Sequence, residues 1–340
     1  MKRKAVYVAL AVVLLGWTLG YGQRAFGEEP KKITLKFVDQ WKPDQWIVVR
    51  AMKLFNEISQ RSNGRLEIMR AGGPEVIPPR EQLNYCGKGA IDIVLAPASY
   101  YKGVIPESVI LGLPVVDWNF DNVLKLTHAI TPDLDRIYQK KTNTRSLMFA
   151  FSPGNIYVVT KAKALHTIDD MKGLKIRSPG GLEDLLLKEF GSAPTKIASS
   201  EIYTAAERGT IDGAVRPAQA VLDWREYEVW RYLLSRPLCF MMMGSIMINN
   251  DSFNKIPADL QKLMFDTIKE RENDSLAYFR DLDSKAIHEI SSKGVKVADL
   301  NPGEVAKWQS TGVRVAEKYF LEQCPENGKL LVDELKAAAK

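Results

Sequence analysis

Two arginines are the residues of this chain best placed to do chemistry. Arg177 ends the strand-like stretch Leu174–Arg177 and runs into Ser178-Pro179-Gly180-Gly181. Arg216 follows the strand-like stretch Ile211–Val215 and precedes Pro217. Two guanidinium groups at the ends of two strands of one lobe would face a common crevice. Their planar forks would bind a carboxylate through paired hydrogen bonds. The competing reading makes each a surface charge or one half of a structural ion pair.

No catalytic constellation accompanies them. His128, His166 and His288 are far apart in sequence, and no HExxH, GxSxG, GxxxxGK[ST] or GxGxxG pattern occurs. Gly72-Gly73 and Gly180-Gly181 carry no nucleotide fingerprint. Hydrolysis needs a nucleophile, a base and a group that orients the base, and nothing nominates them. Cys86, Cys239 and Cys324 match no zinc or CxxC spacing. They read as buried small hydrophobes, with a Cys86–Cys239 bridge as the alternative. Neither a cofactor nor a metal is implied by these residues.

The elements that must hold such a site alternate between strand and helix. Ile33–Val38 reads as a strand. Gln45–Ser62 reads as an amphipathic helix, with Trp46, Val49, Met52, Phe55 and Ile58 at helical spacing and Asn63-Gly64 as its stop. Arg65–Arg70 and Ile91–Ala96 are further strands, separated by a Gly/Pro loop and a short helix at Arg80–Lys88. A second set starts near Arg145, with helical stretches at Leu182–Phe190 and Glu201–Arg208. Pro257–Lys293 is continuously helical and would exceed about 50 Å in length at 1.5 Å per residue. Such a helix would span two lobes.

This order predicts an α/β protein with mainly parallel sheets covered by helices. Ligands of such sheets sit beyond the carboxyl ends of the strands. The strand-end loops add five candidates: Gln40 and Trp46 around the first, Glu75 in the second, and Ser99 and Tyr100 in the third. A helix-start tryptophan such as Trp46 also reads as core. Glu75 would repel a ligand carboxylate, accept a hydroxyl, or pair with Arg216.

Composition narrows the class of protein. The 340 residues are 46% hydrophobic and 26% charged, with a mean hydropathy of −0.18. That excludes extended disorder and a polytopic membrane protein. The net charge is +6, from 47 Lys+Arg and 41 Asp+Glu. Lys2, Arg3 and Lys4 precede an uncharged apolar stretch, Ala5–Gly22, and small residues at Ala25 and Gly27. This is the pattern of a cleaved secretory signal over residues 1–27, with an uncleaved anchor as the second reading. Its removal takes four basic residues (Lys2, Arg3, Lys4, Arg24) and no acidic ones, leaving 43 against 41. The remaining chain has no basic block of the kind that binds nucleic acid.

One family shares a series of these motifs. Met171-Lys172-Gly173-Leu174-Lys175-Ile176-Arg177 resembles the "(L/M)KGLKIR" segment of the solute-binding proteins of TRAP (tripartite ATP-independent periplasmic) transporters, DctP type. Ser62-Asn63-Gly64-Arg65-Leu66, Gly89-Ala90-Ile91-Asp92, Pro106-Glu107 with Leu113-Pro114, Ser200-Glu201-Ile202-Tyr203-Thr204-Ala205 and Gly209-Thr210-Ile211-Asp212-Gly213 resemble further motifs in the family's order. Tyr227-Glu228-Val229 and Pro257-Ala258-Asp259-Leu260-Gln261 extend the match, which runs from about Ile33 to Lys293.

The resemblance implies a two-lobed periplasmic binding protein fold. Lobe I would be 31–152 plus about 240–283, and lobe II 153–239 plus about 284–340, with the long helix spanning both. It implies a periplasmic protein that captures a small organic carboxylate between the lobes and delivers it to the membrane subunits of a TRAP transporter. A secreted α/β hydrolase and a ligand-sensing receptor subunit are the alternatives. Arg177 would anchor the carboxylate. Arg216 stands where the family usually has asparagine, so a second anionic group would be selected there. Val215 stands where members that hold 2-oxo acids through a metal have a carboxylate, so a metal-bridged mode is not implied. Ser199 and Tyr157 stand where sialic-acid binders have phenylalanine and arginine, which makes sialic acid a poor fit.

Overall fold

The computed structural model describes residues 32–197 and 199–340; the signal predicted over 1–27 lies outside them. Twelve strands are described: β1 (Ile33–Asp39), β2 (Leu66–Gly72), β3 (Ile93–Ala96), β4 (Thr144–Met148), β5 (Pro153–Thr160), β6 (Lys175–Ser178), β7 (Ala193–Lys196), β8 (Gly213–Arg216), β9 (Tyr232–Leu234), β10 (Cys239–Met242), β11 (Ser245–Asn249) and β12 (Lys296–Ala298). They form two sheets. The first has the order β2-β1-β3-β11-β4, and the second β12-β9-β5-β8-β6-β7 with β10 paired to β5.

Each sheet is parallel apart from the strand by which the chain enters from the other lobe. β1 pairs β2 and β3 in parallel, whereas β11 runs against both β3 and β4. In the second sheet β6 runs parallel to β7 and β8, whereas β5 runs against β8, β9 and β10. The two crossings lie side by side, with the Met243 N–H donating to the Ser152 carbonyl at 2.8 Å and the Ser152 N–H to the Gly244 carbonyl at 3.2 Å. β4 belongs to the first sheet, so the second set of elements begins at β5 and not near Arg145.

The helix Trp46–Arg61 buries Ile47, Val48, Ala51, Leu54, Phe55 and Ile58 against the first sheet. The expected stripe through Val49 is rotated: Val49 is 54% exposed. Asn63 (φ 52°) and Gly64 (φ 74°) end it in the left-handed conformation, as their residue types predict.

The helix Ala258–Ser292 joins the lobes. Leu260, Met264 and Ile268 enter the core of the first, while Ala286 and Ile290 enter that of the second. The last two helices depart from the expectation that 284–340 belongs throughout to lobe II. The helix Pro302–Gln323 starts there, with Trp308 stacked on Phe190 at 4.2 Å between centroids. It then crosses back, placing Ala316 and Phe320 in the first lobe's core. The helix Gly328–Ala338 buries Leu331, Val332 and Leu335 beside Leu126, Ile130 and Leu134 of the helix Val123–Thr142. The apolar face of the terminal helix is matched there, not on lobe II.

The three cysteines are free and buried. Cys86 sits in the first lobe's core with its thiol on the Asp92 carbonyl at 3.3 Å, and Cys239 lies on β10. The alternative bridge between them is not formed.

Gly112 is where the first lobe meets β10. It has φ +94°, and a Cβ there would stand 2.3 Å from the Phe240 carbonyl oxygen. Gly64 has a similar positive φ and open space around it. Gly64→Ala is expected to cost about 1–2 kcal/mol from backbone strain alone. Gly112→Ala adds a backbone collision and is expected to cost about 2–5 kcal/mol. Urea midpoints of the two variants check this; equal losses would show that the Gly112 contact yields freely.

Candidate solute-binding cleft

A cleft of about 660 Å³ opens between the lobes, a size suited to a small organic molecule. The first lobe contributes Arg80, Tyr100 and Lys102; the second contributes Arg177, Glu183 and Ser199. Phe240, Met241 and Met242 of β10 form part of its wall, and Tyr319 of the helix Pro302–Gln323 also borders it.

Arg177 is positioned by β6, whose Ile176 and Arg177 pair with Gly213 and Ala214 of β8. Its side chain is 6% exposed. Nε donates to the Ile197 carbonyl at 2.9 Å and Nη2 to Ser199 Oγ at 3.3 Å, while Nη1 reaches only to 3.5 Å from the Val215 carbonyl. All three acceptors are neutral. Burial, and secondly the charge of Arg216, push its pKa down to about 10. The group therefore keeps its charge at neutral pH, inside the protein, with no acid in contact among the described residues.

Arg216 is placed differently. It is 4% exposed but does not border the cleft. Its Nη2 lies 2.8 Å from Glu226 Oε1, an ionic contact off the hydrogen-bond direction, and its Nε donates to Oε2 at 3.2 Å. Trp230 Nε1 donates to the same Oε2 at 3.1 Å. Burial raises the Glu226 carboxyl above its usual range, with Arg216 pulling the other way. The expected role of Arg216 as a second anion selector loses its basis, because Glu226 already compensates its charge. Ser199 Oγ accepts from Arg216 Nη1 at 3.3 Å as well as from Arg177, so one hydroxyl links the two guanidiniums.

The remaining candidates divide. Tyr100 borders the cleft, with the Arg80 guanidinium 5.0 Å from its ring centroid. Tyr157 is buried and donates its hydroxyl to Asp283 on the long helix at 2.6 Å. Burial and the Asp283 charge hold that phenol far above its usual range. Trp46 packs edge-on against Phe279 at 5.4 Å. Glu75 accepts from the Gly73 N–H at 2.7 Å in its own loop and does not pair with Arg216. Gln40, Trp46, Glu75 and Tyr157 are not among the residues that line the cleft. The side chain of Ser99 lies outside the described residues.

Several lining residues escaped the sequence reading. Lys102 lies two positions after Tyr100 in the same loop. Lys196 ends β7, 3.8 Å from Asp184, a strand-end position that the topology rule covers. Trp224 is 45% exposed at the cleft, and its sequence context gives no signal. Gly180 (φ +100°) and Gly181 (φ +77°) turn the chain from β6 into the helix Leu182–Glu189. A Cβ on Gly181 would stand 3.0 Å from Lys102 Nζ of the opposite lobe.

The profile of bacterial extracellular solute-binding proteins, family 7, matches residues 37–323. The chain belongs to this family. A solute-binding protein of Albidiferax ferrireducens is 27% identical over 269 residues, 78% of each chain. A TRAP periplasmic solute-binding protein of Desulfovibrio salexigens, solved with orotic acid, has a TM-score of 0.78 at 19% identity, covering 91% of this chain and 99% of that one. One from Rhodoferax ferrireducens, solved with malonate, has a TM-score of 0.74 at 24% identity, covering 89% and 98%. The family is one of binding proteins, so the chain is not an enzyme and the hydrolase reading is set aside. Its two-lobed fold is that of the solved relatives.

The Arg216–Glu226 pair gives a test of the division between the two arginines. Glu226→Gln leaves a buried guanidinium uncompensated and is expected to cost about 3–5 kcal/mol of stability. The double variant Arg216→Met/Glu226→Leu is expected to lose less than that single one. Denaturant unfolding of both checks the pair; a Glu226→Gln protein as stable as the parent would show that Arg216 is compensated elsewhere.

Proposed function

We propose that this protein captures a small organic carboxylate between its lobes, with Arg177 as the anchor, and presents it to the membrane subunits of a TRAP transporter. The observation that carries this reading is that Arg177, buried beside the cleft, has no acid in contact among the described residues. A buried cation is costly unless an anion meets it, and the hydrogen bonds that Arg177 makes there go to neutral acceptors. An entering carboxylate supplies the missing charge. Contacts from both lobes then favour the closed arrangement, because the solute binds that state more strongly.

The relatives support the solute class: the solved neighbours from Desulfovibrio salexigens and Rhodoferax ferrireducens were found with orotic acid and malonate, both organic acids. The basic, then apolar, then small-residue N-terminus supports export through a cleaved signal over 1–27 and a periplasmic site of action.

A melting-temperature screen of the protein against organic acids, amino acids and neutral sugars tests the class. A solute that binds only the folded state raises the melting temperature by mass action. Shifts are expected from acids such as malonate, orotate and pyroglutamate and not from neutral sugars. Arg177→Ala is expected to weaken binding of a responding acid by about 2–5 kcal/mol, roughly thirtyfold to several-thousandfold. Unchanged affinity in that variant would overturn the assignment of the anchor.

A further inference from the structure

Glu183 has no place in the reading above, yet it borders the same cleft. It lies in the first turn of the helix Leu182–Glu189, just after the Gly180-Gly181 turn. It is 6% exposed, and among the described residues its side chain has no hydrogen-bond partner except its own backbone N–H. A buried carboxylate in that state is expensive unless it is protonated or a cation meets it. Arg80, Lys102, Arg177 and Lys196 also line the cleft, and none of them is in ionic contact with it.

We propose that Glu183 is a selectivity residue of the solute site. It meets an acidic solute as the neutral carboxyl and donates its O–H to a solute oxygen, so that capture takes up one proton. This rests on the carboxylate reading. Burial holds the Glu183 carboxyl up at about 7; Asp184 adds to the rise, while Lys102 and Arg177 oppose it. The other titratable groups that face it are Cys239 on β10 and Tyr319 on the helix Pro302–Gln323. Burial raises both of those, so they stay neutral near pH 7. Glu183 is thus the group in this cluster poised to answer a new charge.

The sign of the answer depends on the solute. A carboxylate that pairs with Arg177 and Lys102 offsets the two cations that help Glu183 ionise, and it adds a negative charge beside it. Both effects favour the protonated form. A solute carrying an ammonium group would do the reverse and expel the proton. The four cations that line the cleft, Arg80, Lys102, Arg177 and Lys196, favour the anionic solute.

Titration calorimetry of the full-length protein with malonate, orotate and pyroglutamate at pH 7, in phosphate and in Tris, measures the proton exchanged. Affinities between pH 6.5 and 8.5, for the wild type and Glu183→Gln, give its origin; the difference between the two proteins cancels the titration of the solute itself. Net proton uptake is expected. Wild-type affinity should fall as pH rises through about 7, approaching about tenfold per unit at full coupling, and the Gln variant should be flat. Proton release, or the same slope in Glu183→Gln, would overturn the proposal. Acids that bind through Arg177 with no pH slope would remove Glu183's role and leave the anchor standing. Failure of every acid to bind would remove both.

Discussion

The site depends on how two buried guanidiniums, neighbours in one lobe, are compensated. Arg216 meets Glu226 within the fold, and the indole of Trp230 holds that carboxylate from another direction. Among the described residues Arg177 meets carbonyls and a hydroxyl only. The two charges also repel, which is one reason Arg177 holds its proton less tightly than usual. Without Glu226 the lobe would carry two uncompensated cations. With it, one cation is part of the structure and the other faces the cleft. The lobe can therefore fold without solute and still have an electrostatic deficit that an anion relieves.

That deficit can drive closure only if the lobes are joined by something that bends in a defined way. The joint consists of two short crossings hydrogen-bonded to each other, at Ser152 and at Met243–Gly244, plus the long helix Ala258–Ser292 and the return helix Pro302–Gln323. The crossing strands enter their new sheets antiparallel, so β5 and β11 are each flanked by strands on both sides. Their ends are fixed within each lobe. The residues between the sheets are few, and two helices bridge them. The cleft wall formed by Phe240–Met242 leads directly into that joint.

The sequence disclosed the parts whose signal is local. The left-handed stop at Asn63-Gly64, the long helix from Pro257 and the strand that carries Arg177 were all readable from residue type and spacing. The helix Val123–Thr142 was not, because Pro132 interrupts its pattern. The return of the C-terminus to the first lobe was also invisible. It depends on which apolar surface is left open by the helices Val123–Thr142 and Pro302–Gln323, a tertiary property. Arg177 was legible as a candidate because it lies at the carboxyl end of a strand-like stretch and carries a family motif. Arg216 shows the limit of that logic: it also ends a strand, but its partner Glu226 lies ten residues on, in a short 3-10 turn that no pattern marks. Tyr157 and Trp46 were drawn to the site by alignment and loop position, yet their side chains satisfy Asp283 and Phe279.

The same comparison explains why Glu183 was overlooked. On a helix's first turn an acidic residue ordinarily complements the helix dipole and stays in water. Here the first turn follows the Gly180-Gly181 turn at the cleft, and the acid is only 6% exposed. Burial then outweighs the pull of the dipole and of both nearby cations, and the carboxyl becomes as much a donor as an acceptor near neutrality. A surface acid by sequence is thus converted into a group whose charge depends on what occupies the cleft.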